Sequence, residues 1–256
     1  MEKFIAFFLA LAVLVMLPGF HADAAETVRN GTQTAEQVEI LVEGSLEQLD
    51  RQAVLDRLNE IREEACREGV PNPSNGEPMG PEDYVPLQWA SELEKIAILR
   101  AAESTILQDH RRPDGSDCFT AAPDGVPYTM ETLAWGFGSA EAAVEGWYSE
   151  KTAYVEASGT PAGHYIALIN PENRFVGIAE LRADWQRDAC AGAFASHEGT
   201  GNTGSNETGD AFDAPCEAGE VQVWSIPLLR SYLPAVIEKA VSVTAVRICN
   251  AARFGK

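Results

Sequence analysis

From Leu49 onward the chain carries apolar stripes at helical spacing, then short apolar runs bounded by turn residues. Val54, Leu58, Ile61 and Ala65 recur every three or four positions, while Asp56, Arg57, Glu60, Arg62, Glu63 and Glu64 fill the other face. That pattern predicts an amphipathic helix, ended by Gly69, Pro71 and Pro73. After a loop rich in Pro, Gly and Asn, Ser91 and Glu94 have the spacing of a capping box. Trp89, Leu93, Ile96, Ala97 and Ala101 then predict the buried stripe of a second helix reaching about Leu107. Arg112-Pro113-Asp114-Gly115 is a tight turn. A third helix fits 139–149, with Ser139 as N-cap, Glu141 in the first turn, and Ala143, Val144 and Trp147 facing inward.

Beyond Gly163 the pattern reads as extended. Tyr165–Ile169 and Phe175–Ala179 are two apolar runs around an Asn170-Pro171-Glu172-Asn173 turn, which predicts a hairpin, and Ala191–Ala195 predicts a third strand. Residues 25–48 are polar and acidic and read as a flexible or loosely helical lead-in. The Gly-, Ser- and Asn-rich stretch 197–219 reads as a loop or linker. Val221, Val223 and Ile226 begin a strand in the extension 220–256, where Pro234 fits the first turn of a helix through Ala240. That extension has no assigned role.

The chain opens Met-Glu-Lys, runs apolar from Phe4 to Leu17, and reaches Ala22-Asp23-Ala24. These are the parts of a secretory signal peptide over residues 1–24. The apolar run is shorter than the ~18–20 residues of a membrane span, so the mature chain is expected outside the cell with no stable span. A net charge of −20 repels phosphates and anionic lipid, which excludes nucleic acid as a partner. It would attract divalent cations, but there is no calcium-loop motif. Export permits disulfides among Cys66, Cys118, Cys190, Cys216 and Cys249. Cys190 with Cys216 would staple the Gly-rich stretch, Cys66 with Cys118 is a weaker pairing, and Cys249 is the odd thiol. No CxxC spacing supports a structural zinc knuckle.

Four residues carry candidate chemistry. His110 precedes the tight turn, Glu131 opens Glu131-Thr132-Leu133-Ala134, Glu150 closes Trp147-Tyr148-Ser149-Glu150, and His164 lies in Gly163-His164-Tyr165. Two imidazoles with nearby carboxylates suit Zn2+ or another divalent cation, the Glu orienting a His or holding a water. With only two His the site would be open and its metal exchangeable. The same groups suit general acid–base work, a Glu activating water beside an ion, without an evident nucleophile. Each also has a structural reading. His110 suits a helix C-terminus, His164 a hydrogen bond to a carboxylate within a sheet, and Glu150 the satisfaction of backbone N–H groups. Trp135, Trp147, Trp185 and Tyr148 read as core or site wall. His21 and His197 get no role.

The order of these motifs, with the phrases HRRPDG, WYSEKTAY and AGHYIALINPENRFVGIA, resembles the CAP superfamily of cysteine-rich secretory proteins, insect venom antigens and plant pathogenesis-related proteins. The bacterial branch is the most similar. The resemblance covers about residues 49–196. It implies an α+β fold, a three-layer α-β-α sandwich with a mostly antiparallel central sheet, and a cleft carrying His110, Glu131, Glu150 and His164. In relatives that bind zinc or another divalent ion the ligands match His110 and His164; other relatives bind sterols, fatty acids or peptides. Where relatives commonly carry Gly-Glu-Asn this chain has Met130-Glu131-Thr132, and Ile166 and Ala167 follow GHY in place of the Thr and Gln of many eukaryotic relatives. Both changes remove polar partners and speak against a protease-like mechanism.

The expectation is a secreted binding module, with or without a divalent metal, whose partner is an extracellular lipid, peptide, cell-wall component or protein. No residue is assigned as catalytic. The alternative is a zinc-dependent hydrolase acting on peptides or cell-wall material. A third reading is a structural secreted protein whose cleft is only inherited.

Overall fold

The computed structural model describes residues 37–123, 125–183, 188–197 and 219–240. The signal-peptide reading, Trp185, Cys216 and Cys249 lie outside the described residues. The chain divides into two compact units, residues 39–228 and a second made of 1–38 and 229–256. In the second, a 3-10 turn at Arg230–Tyr232 leads into a helix over 233–240 with Pro234 in its first turn.

The larger unit is built on a six-stranded sheet. Its strands are β1 (Gln37–Leu46), β2 (Gln88–Trp89), β3 (Met130–Trp135), β4 (Phe175–Ala183), β5 (Ala189–Ala195) and β6 (Val221–Leu229), ordered β3-β5-β4-β1-β6 with β2 also on β4. β4 and β5 pair antiparallel from Phe175↔Ala195 to Leu181↔Ala189, and β3 and β5 from Met130↔Phe194 to Trp135↔Ala189. β1 joins β4 antiparallel at Gly44↔Ala183, and the short β2 pairs with β4 in parallel. Its helices are α1 (Arg51–Glu68), α2 (Ser91–Ile106), α3 (Ala140–Tyr148), α4 (Lys151–Val155) and α5 (Gly163–Ile169). α2 packs on one face of the sheet against β4 and β5, while α1, α3 and α5 gather on the other. The result is the three-layer α+β sandwich with a mostly antiparallel sheet.

α1 begins where the Asp50 carboxylate accepts the Ala53 N–H at 3.0 Å, and it ends at Gly69 with φ 65°. Its apolar stripe packs against Trp147, Tyr165, Leu168, Val176 and Phe194. α2 lies so close to the sheet that a Cβ on Gly177 would fall onto the backbone of Leu93 and Glu94. The mostly small side chains of β5 serve the same close approach.

Several local expectations are corrected. Residues 37–46 are a strand, not a loose lead-in. Tyr165–Ile169 is the body of helix α5, so the expected hairpin loses its first strand, while the Asn170–Asn173 turn and β4 stand. A five-residue apolar run cannot by its period separate a buried strand from a buried helix. Ala90, not Ser91, precedes α2, and Glu94 makes no capping box. Instead Glu94 accepts from Arg51 at 2.5 Å and from the Trp89 indole at 2.9 Å. Arg62, expected on the polar face of α1, is buried and donates to the carbonyls of Val85, Leu168 and Asn173. Burial without a carboxylate partner lowers its guanidinium to about 10.

The disulfide expectations are also corrected. Cys66, Cys118 and Cys190 are buried free thiols. Cys66 packs in the α1-side core, whereas Cys118 lies beneath Tyr128 near the α2-side core. Cys190 sits inside the fully buried strand β5, where burial drives its thiol well above the ordinary range. Among the described residues no helix is long and apolar enough to cross a membrane.

Candidate functional site

The edge strand β3 offers side chains to both layers of the sandwich. Met130 meets Asn170 and Asn173 on the α5 side, whereas Glu131 meets Arg100 of α2. The outer carbonyl of Leu133 is covered by the Trp147 indole N–H at 3.1 Å, which blunts the open edge. Four segments supply the candidate residues: the loop after α2 (His110), β3 (Glu131), the α3–α4 junction (Glu150) and the first turn of α5 (His164).

Glu131 is held on several sides. Arg100 Nε donates to one carboxylate oxygen at 2.5 Å and Nη2 to the other at 3.2 Å. His110 Nδ1 lies 2.8 Å from Oε1. Tyr128 gives its single O–H chiefly to the Cys118 carbonyl at 2.7 Å and stands 3.3 Å from Oε2. Burial pushes the Glu131 carboxyl upward, but the hydrogen bonds from His110 and Arg100 and the Arg100 charge outweigh it, so its pKa falls below the ordinary value. Burial and the Glu131 charge together raise the Tyr128 phenol and bring the Cys118 thiol up to about 11. Both stay protonated near neutral pH.

Glu150 works differently. One oxygen accepts the backbone N–H of His164 at 2.9 Å and of Tyr165 at 3.2 Å, and the other lies 2.7 Å from His164 Nδ1. Ala162, which precedes α5, makes no side-chain cap. Glu150 therefore caps α5 from another helix and orients the ring that α5 carries.

The two pairs meet. The His110 and His164 rings have centroids 5.8 Å apart, and Trp147 backs His164 at 6.3 Å. Each Nδ1 lies against a carboxylate oxygen, and a neutral ring that donates its proton there keeps the Nε2 lone pair for a ligand. His110 is 53 % exposed at its side chain while its partner Glu131 is 2 % exposed, so imidazole faces solvent and carboxylate does not. A His with its Nδ1–H on a carboxylate and Nε2 open is how metal-ligating His are commonly prepared. The donor set therefore fits an ion held by two imidazoles and completed by water or ligand. Among the described residues no group of three or more His, Cys, Asp and Glu could hold a metal, so a closed structural site does not fit.

The family model described as CAP, the cysteine-rich secretory protein family, matches residues 55–188, more than half of the chain. The chain belongs to the CAP family. No curated protein matches it. Solved structures similar to this CAP chain include NaASP2 with Zn2+, 16 % identical with a TM-score of 0.42, covering 60 % of this chain and 85 % of that one. An outer surface protein from Borrelia burgdorferi is 19 % identical with a TM-score of 0.35, covering 60 % and 99 %. Na-ASP-1 is 20 % identical with a TM-score of 0.37, covering 59 % and 37 %.

Thr132, beside Glu131, is fully buried and its Oγ1 has no hydrogen-bond partner. Ala167 packs into the α1-side core. Trp135 donates to the Ser104 carbonyl, and Tyr148 reaches Glu64 under Arg57 and Lys151. Trp147 and Tyr148 thus pack with the α1-side core, and Trp147 also backs His164. The sequence reading missed Arg100, Glu103, Arg112 and Tyr128. One signal was present: Arg100 falls three and four residues after Ala97 and Ile96, on the stripe assigned to the core. A charge at a core position asks for a buried counter-charge.

Proposed function

We propose that this CAP protein is a secreted extracellular binding module whose ligand surface lies between His110 and His164, with a divalent cation such as Zn2+ as an exchangeable component. One observation carries the reading: both imidazoles are held through Nδ1 against carboxylates, and their ring centroids lie 5.8 Å apart, so that neutral rings donating through Nδ1 would offer two Nε2 lone pairs to one ligand. When bound, the ion would supply a positive centre for an oxygen or nitrogen of the partner, with His110 and His164 holding it. The N-terminal pattern of residues 1–24 and the secretory character of the family support export.

The carboxylates support binding over hydrolysis. Glu131 has Arg100, His110 and Tyr128 against its two oxygens, whereas Glu150 accepts two backbone N–H groups on one oxygen and meets His164 with the other. Glu131 cannot take a proton from water without releasing a partner, and Glu150 could do so only from the oxygen that meets His164.

Calorimetric titration of zinc into the metal-free chain, beside His110→Ala and His164→Ala, tests the reading. One-to-one binding in the parent, weakened at least tenfold in both variants, is the expected result. Binding that neither substitution changes, or no binding in the parent, would remove the metal from the proposal.

A further inference from the structure

We infer that Arg100 is a positioning residue for His110: one buried guanidinium fixes both the carboxylate that orients the imidazole and the backbone that carries it. The inference deepens the two-imidazole reading above and rests on it. While Nε and Nη2 hold both oxygens of Glu131, Nη2 also reaches the carbonyl oxygens of Asp109 and His110, each at 3.2 Å. The loop bearing His110 and the strand bearing its partner are thereby tied to a single planar group.

Arg100 is itself fixed from behind. Its Nη1 donates to Glu103 at 2.6 Å, and Glu103 accepts from Arg112 Nη2 at 2.6 Å and Nε at 3.0 Å. Arg112 belongs to the tight turn, where its N–H meets the Ser116 carbonyl and its Nη1 meets Thr120. The series Arg112–Glu103–Arg100–Glu131 therefore alternates in sign and ends on His110. Its four ionised members cancel, and the Arg100, Glu103 and Glu131 side chains are each 1–2 % exposed. A buried charge series with every member paired is rigid, because moving one member strands its neighbours.

A guanidinium offers five N–H donors in a fixed fork, enough for two carboxylates and two carbonyls, whereas an ammonium offers three. His164 has no such support, since its carboxylate is held by amides of α5. The two imidazoles are thus fixed by independent devices, and one can be loosened without the other.

Long-range 1H–15N NMR of the metal-free full chain, at a pH where both rings are neutral, shows which nitrogen carries each proton. The parent is expected to hold both His110 and His164 as Nδ1–H. In Arg100→Lys, His110 should divide between tautomers while His164 stays unchanged, and zinc affinity should fall ten- to a hundredfold, the range for loss of an outer partner. If Arg100→Lys does not fold, the charge-balanced Arg100→Gln/Glu103→Gln pair answers the same question with one charge of each sign removed. His110 staying wholly Nδ1–H in either folded variant, or lacking that tautomer in the parent, overturns the inference. The NMR readout needs no zinc, so a parent that shows the tautomers but binds no metal sinks only the metal reading.

Discussion

Glu131 and Glu180 are both glutamates on strands of the same sheet, 8 % and 5 % exposed, and burial treats them alike. Their neighbours do not. Glu131 on β3 meets Arg100, His110 and Tyr128. Glu180 on β4 has an oxygen, Oε1, that is buried with no hydrogen-bond partner. Its charged surroundings are Asp188, Glu47 and Glu141, with Arg182 as the opposing charge. Burial, followed by the Asp188 and Glu47 charges, pushes the Glu180 carboxyl up to about 7, whereas Glu131 is held below its ordinary value. Depth thus sets the penalty, and partners decide whether it is met. This fold supplies buried partners at the β3 edge, beside the two imidazoles.

The largest effect that could break the comparison is on the partnered side. Arg100→Met strands Glu103 and Glu131 as buried carboxylates with one cation fewer between them. Loss of one partner from a buried ionic set costs about 3–5 kcal/mol, read from the urea midpoint of the full chain at neutral pH. A loss below about 1 kcal/mol would mean that the series behaves like a surface pair and that Glu131 is not specially held.

Glu180 should answer with the opposite sign. Its folded pKa lies above its ordinary value of 4.5, at about 7, so between those values the folded state holds a proton that the unfolded chain has released. Stability attributable to this group is therefore greatest at low pH and falls as pH rises through that window. Glu180→Gln should remove that slope and stabilise the protein above pH 7 by on the order of 1–3 kcal/mol. The check is a set of urea midpoints for parent and variant across the window. Parallel pH profiles would show that Glu180 finds partners in solution and that the two glutamates are equals.

The same contrast explains what could be read from the sequence. α1, α3 and the RPDG turn were legible because each follows a local rule: an apolar stripe with Gly69 beyond it, a Ser139 cap, a turn-forming Gly115. α5 was not legible, since its cap comes from Glu150, thirteen residues before its first residue. β1 was hidden because its Glu39 and Glu43 are exposed and its partner β4 lies over a hundred residues away. Motif order singled out the four His and Glu that the structure brings together, but not their division into two pairs. Pairing depends on which face of β3 Glu131 uses and on a capping bond between helices, and neither leaves a periodic trace in the chain. Arg100 was visible only as an inconsistency, a charge where the α2 stripe required an apolar residue.

The smallest expected effect asks whether Glu131 depends on the whole set or chiefly on Arg100. Tyr128 has a single proton, and its 2.7 Å contact with the Cys118 carbonyl is much shorter than the 3.3 Å contact with Glu131, so Glu131 receives little of that bond. Tyr128→Phe should therefore lower stability by about 1 kcal/mol, the worth of one neutral hydrogen bond, in the same urea measurement. The His110 tautomer and zinc affinity should be unchanged. If instead Tyr128→Phe disturbs His110 as strongly as Arg100→Lys does, the carboxylate is held by a shared network in which no single donor dominates. The contrast with Glu180 would then rest on the number of partners around Glu131, not on the one guanidinium that ties it to the His110 backbone.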